Sequence, residues 1–114
     1  MTDGPPRDAA IDAPPDAPTA VRRVACPATP KATITTASFM WSPMSVSVNV
    51  GDIVKVMPES VHRMIPHPTK PTDSGMSSGT TGEVRCLQFT TAGEFNYVCA
   101  PHPQAMQGVV NVSN

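Results

Sequence analysis

The stretch FTTAGEFNYVCAPHPQAMQG, Phe89 to Gly108, decides the fold. Phe95, Tyr97 and Cys99 sit two residues apart, so they share one side of a β-strand. If Phe95 packs into a core, Cys99 points into the same interior at the end of that strand. Beyond it, Pro101 and Pro103 stiffen a loop that carries His102 and Met106, and the chain becomes strand-like again from Gly108. A thiol, an imidazole and a thioether thus fall within the eight residues from Cys99 to Met106.

The same two-residue period recurs on the N-terminal side. Alternating segments lie near residues 32–37, 44–50, 53–57, 84–90, 94–99 and 108–113, separated by Gly, Pro, Ser and Asp, and none sustains an apolar period of 3.6. Met44 to Val50 alternates, Gly51-Asp52 reads as a turn, and Ile53 to Met57 reads as the next strand. The pattern predicts an all-β chain folded as a two-sheet Greek-key β-sandwich. Residues 66–82 form the longest irregular connection, with room for a short helix or an edge strand.

The donor types around Cys99 suit copper. A soft thiolate with nitrogen and sulfur partners selects copper over hard cations such as Mg2+ or Ca2+, and two His with one Cys and a long axial Met is the donor set of type 1 copper. One more His has to come from upstream, where the chain offers His62 and His67. His62 follows the strand Ile53–Met57 after a short turn, whereas His67 lies between Pro66 and Pro68, which disfavour a regular ladder. The reading favours His62.

With these residues in view, the chain resembles the cupredoxins, the small blue copper proteins of the plastocyanin, amicyanin and azurin kind. The resemblance runs over roughly residues 31–114 and rests on three stretches. These are Val48-Asn49-Val50-Gly51-Asp52-Ile53-Val54 before the first His, the run from Phe89 to Cys99, and the loop Cys99-x2-His102-x3-Met106 closing on Gly108-Val109-Val110. It implies His62, Cys99 and His102 as equatorial copper ligands, Met106 as the axial one, and single-electron shuttling between redox partners as the function. The interval from His102 to Met106 departs from the family pattern, as does Arg63, which stands where the family often has Asn. His102, among Ala100, Pro101, Pro103 and Ala105, would present its ring edge to a docking redox partner.

Cysteine arithmetic then concerns the compartment. With Cys99 reserved for metal, Cys26 and Cys86 remain and are predicted to form a disulfide, which places the protein outside the cytoplasm, in the periplasm or extracellular space. The competing reading is two unpaired buried thiols. Met40, Met44, Met57, Met64 and Met76 read as core or surface residues rather than thioether donors, and Trp41 as a packing residue.

Length and composition limit the remaining possibilities. The 114 residues suit one domain of modest core and include no run of about 18 apolar residues that would span a bilayer. Nine acidic and eight basic residues nearly cancel and form no basic stripe, so nucleic acid is not an expected partner. Residues 1–25 carry five of the 14 prolines, four Asp and no aromatic residue. They are expected to be a disordered linker in front of a copper-binding domain at 26–114, and the place where an anchor of a longer, trimmed precursor would attach. The domain is expected to be monomeric and not an enzyme, since the chain has no phosphate loop, Ser-His-Asp arrangement or paired carboxylates. Two alternatives stand beside electron shuttling. One is copper carriage without redox turnover, with His67 and nearby Met residues joining the site. The other is a catalytic zinc on His62, Cys99 and His102 with water as the fourth ligand.

Overall fold

The computed structural model describes residues 20–114 as an all-β fold. Its strands are β1 (Val21–Val24), β2 (Ala32–Ala37), β3 (Met40–Ser42), β4 (Ser45–Asn49), β5 (Ile53–Met57), β6 (Met64–Pro66), β7 (Arg85–Phe89), β8 (Gly93–Cys99) and β9 (Gln107–Ser113). They form a five-stranded sheet of order β1-β7-β5-β2-β3 and a four-stranded sheet of order β4-β9-β8-β6. Both sheets are mixed, because β2 pairs with β5 and β4 with β9 in parallel while their other pairings are antiparallel.

Period-two alternation drives the stacking. In β4, Val46 and Val48 are buried while Ser45, Ser47 and Asn49 face solvent. In β5, Val54 and Val56 turn inward in the same way. These residues meet Ile34, Leu87, Phe89, Phe95, Tyr97, Val110 and Val112 in one core between the sheets. Rings bridge the layers, Phe89 with Phe95 at 5.4 Å between centroids and Trp41 with Tyr97 at 5.2 Å. At Gly108 a Cβ would lie 2.5 Å from the Tyr97 hydroxyl oxygen, so the absence of a side chain lets β9 close over that ring. Burial pushes the Tyr97 phenol well above its usual value, and it stays neutral.

The turn at Gly51-Asp52 forms as its residues suggest. Gly51 has φ of +95°, in the left-handed region, and the Asp52 carboxylate accepts the Asn49 N–H at 2.8 Å. Three strands were not legible in the sequence pattern. β3 and β6 span three residues each, too few to show a period.

β1 corrects the expected linker. Residues 1–19 lie outside the described residues, but Val21–Val24, placed in the linker on composition, pair antiparallel with β7. Val21 is buried against the core and Val24 is half-buried, while Arg22 and Arg23 face outward, so the four residues show no period-two alternation. The pairing of Val24 with Cys86 brings the following residues beside β7, where Cys26 and Cys86 form a disulfide. Opening this link, at a sequence separation of 60, is worth about 4 kcal/mol on the chain-entropy model. Cys26→Ala is therefore expected to lower unfolding stability by roughly 2–4 kcal/mol, read as an earlier denaturant midpoint, with copper binding retained at low temperature.

The connection after β6 has no helix or further strand up to β7. Main-chain and side-chain hydrogen bonds hold it instead. Ser78 donates its N–H to the Met64 carbonyl and accepts the Met64 N–H on Oγ at 2.7 Å, and Asn96 donates its N–H and its Nδ2 to the Pro71 carbonyl. Met76, fully buried, joins the main core from this segment.

Candidate metal centre

β8 delivers Cys99 to one end of the sandwich as its last residue, fully buried. The loop beyond is a tight main-chain turn. His102 N–H bonds to the Cys99 carbonyl at 3.1 Å, Met106 N–H to the His102 carbonyl at 3.0 Å, and Cys99 N–H to the Met106 carbonyl at 3.0 Å. These bonds fold the loop back on the thiol and set the half-buried His102 beside it. Trp41 donates its indole N–H to the same Met106 carbonyl at 3.2 Å, so a residue read as packing also fastens the loop.

His62 arrives from the other side, in the turn between β5 and β6. Its N–H bonds to the Glu59 carbonyl and its own carbonyl accepts the Gly82 N–H, which fixes its main chain. The imidazole is 1% exposed, and its Nε2 lies 3.1 Å from the Ser38 carbonyl. A carbonyl only accepts, so in the neutral tautomer that this contact favours the proton sits on Nε2 and the lone pair on Nδ1. That Nδ1 lies 3.6 Å from Cys99 Sγ, and His102 Nδ1 lies 3.9 Å from the same sulfur.

The three donor atoms all fall within 4.8 Å of one another. Donors held about 2.0–2.3 Å from a single first-row ion at tetrahedral or trigonal angles stand roughly 3.5–4 Å apart, so both sulfur–nitrogen distances fit one ion. The set of one sulfur and two nitrogens, with no carboxylate in the cluster, is a copper-favouring set.

His67 stands apart from the cluster. Its Nδ1 accepts the N–H groups of Thr69 and Lys70, both at 3.1 Å, and so caps its own turn. Met106 is fully buried within the core beside this loop. Arg63 offers its main-chain carbonyl to the Ala100 N–H at 3.0 Å, so backbone ties the two ligand-bearing segments at the position where the related pattern often has Asn. Ser38 and Phe39, in the β2–β3 turn, went unread as site residues because Ala37-Ser38-Phe39-Met40 carries no Gly, Asn or Pro to mark a hairpin.

A two-sheet β-sandwich with one buried thiol between two imidazoles at its end is compatible with the type 1 site of a small copper protein. The chain matches the model of the copper binding proteins of the plastocyanin/azurin family over residues 28–113, and it belongs to that family. As a cupredoxin it is a copper-binding electron-transfer protein. Similar solved structures are amicyanins. The amicyanin of Paracoccus versutus is 20% identical, with 82% of this chain and 98% of that one covered and a TM-score of 0.60. A reduced Cu(I) form at pH 4 of a proline-to-glycine variant of amicyanin is 22% identical, with 82% and 99% covered and a TM-score of 0.60. A reduced tryptophan-to-tyrosine variant of amicyanin is 25% identical, with 71% and 80% covered and a TM-score of 0.55. No curated protein sequence matches the chain significantly.

Proposed function

We propose that His62, Cys99 and His102 are the equatorial ligands of one copper ion, with Met106 as a long axial donor, and that the protein carries single electrons between redox partners outside the cytoplasm. The observation that supports this most is the asymmetry of burial within the cluster. His62 and Cys99 are sealed from water while His102 is half-buried, so one ligand leads from the core to the surface. Copper held there supplies a one-electron couple. The residues hold it in a nearly fixed donor set through the Ser38 carbonyl, the Cys99–Met106 main-chain bonds and the two prolines of the loop, and they keep water from its inner side.

Around His102 the surface suits a protein partner. Phe39 lies against the His102 ring and is 57% exposed, and Pro101 and Pro103 flank the imidazole as exposed loop residues. A redox partner docks on this apolar rim near His102. The Cys26–Cys86 disulfide supports a periplasmic or extracellular location. With three protein donors and an axial sulfur, no position is left for a substrate, which favours a carrier over an enzyme. Copper carriage with His67 as an added donor is disfavoured, since the His67 Nδ1 is engaged by two backbone N–H groups.

Voltammetry of the copper-loaded protein tests the reading, with a reversible one-electron wave expected and an irreversible or absent wave contradicting it. The same measurement addresses Met106. Met106→Leu is expected to raise the potential while keeping the colour, because losing an axial donor disfavours Cu(II) more than Cu(I), and Met106→Gln to lower it. An unchanged potential in both variants would reduce Met106 to a packing role.

A further inference from the structure

β2 and β3 are joined by the two residues Ser38 and Phe39, between the paired Ala37 and Met40. Ser38 has φ of 58°, and among the described residues it is the one non-glycine with positive φ. Two-residue hairpin turns with positive φ at the first central position ordinarily place Gly, Asn or Asp there. The serine tolerates the strained region, and the turn it makes faces the metal centre twice. The Ser38 carbonyl meets His62 Nε2, and the Phe39 ring stands edge-on to His102 at 4.9 Å between centroids and to His62 at 6.0 Å, with interplanar angles of 72° and 78°. The two imidazoles are themselves 5.4 Å apart, so the three rings form one cluster.

The core does not account for Phe39. Its side chain is 57% exposed, which leaves much of a large apolar ring in water, and it is not part of the buried cluster between the sheets. What it does touch is the more exposed of the two imidazoles. An edge-to-face contact at this separation restrains a neighbouring ring beyond the effect of simple area burial. A half-buried histidine on a loop is the donor with most freedom to swing away, since His62 and Cys99 are sealed in.

We infer that Phe39 is a positioning residue that braces the His102 ring and slows the loss of copper from the site. The inference rests on the reading of His62 and His102 as ligands. It assigns to the β2–β3 turn a part in holding the metal without contributing a donor atom.

The test is the rate at which a strong chelator removes copper from the loaded wild-type protein and from Phe39→Ala, Phe39→Leu and Phe39→Tyr, with proton NMR of the His102 ring in the diamagnetic Cu(I) form. Phe39→Ala is expected to lose copper about three- to ten-fold faster, the fold-change that one aromatic pair contact corresponds to. The unfolding midpoint of its metal-free form should stay that of the wild type. Phe39→Leu should behave like Phe39→Ala, and Phe39→Tyr like the wild type, with the ring-current shift on His102 lost in the first two and kept in the third. A loss rate in Phe39→Ala within about two-fold of wild type, a Leu variant as slow as wild type, or a Tyr variant as fast as Ala would each overturn the inference. Failure of the ligand reading is told apart by the wild type, which would then show no thiolate-to-copper colour at all.

Discussion

Cys99→Ser is expected to abolish the intense visible absorption that copper gives with the wild-type protein. That colour requires charge transfer from a soft, polarizable sulfur, and a serine hydroxyl at neutral pH offers neither the charge nor the covalency of a thiolate. The substitution removes little volume, and Cys99 sits at the end of β8 with its N–H held by the Met106 carbonyl, so the strand and loop have what they need to form. The cost to folding is that of placing one hydroxyl in a fully buried site, to be checked by circular dichroism. Copper bound to this variant would be pale, and undiminished absorption would remove Cys99 from the ligand set.

The second large effect separates the upstream histidines. His62→Ala should weaken copper binding by more than the roughly 10–100-fold that loss of an outer-shell partner typically costs, because a donor itself is deleted and a cavity opens beside the thiol. His67→Ala should leave both affinity and spectrum unchanged. Its consequence is local, since the Thr69 and Lys70 N–H groups lose their acceptor in an exposed turn. A competition titration against a chelator of known affinity measures both, and the reverse ranking would overturn the assignment.

Much of this architecture is legible in the chain because it rests on period-two alternation. β2 and β5 coincide with the segments 32–37 and 53–57, and β4, β7, β8 and β9 differ from the expected bounds by a residue at one or both ends. The metal loop is legible for a different reason, since its donors are close in sequence and need no topology to bring them together. His62, 37 residues from Cys99, is favoured over His67 by its place after a strand and a short turn, but only the fold brings it beside the thiol. What stayed hidden depends on tertiary contact. β1 carries two arginines between two valines, with no period-two alternation, and is held by pairing with β7, so nothing in its own four residues marks a strand. β6 is three residues that pair Met64 with Cys99 and Pro66 with Tyr97, a ladder set by β8 rather than by its own sequence. The Ser38 carbonyl that orients His62 is backbone, which no side-chain motif announces. Phe39 belongs to no motif in the sequence, and only the turn places it against both imidazoles.

The most direct test of a type 1 copper centre on His62, Cys99 and His102 is titration of the metal-free protein with Cu(II), followed by visible absorption. The geometry predicts an intense thiolate-to-copper band that grows linearly and stops at one equivalent, and that bleaches on reduction with return of the colour on reoxidation. Uptake of copper without that band, or a band that saturates at a different stoichiometry, would contradict it.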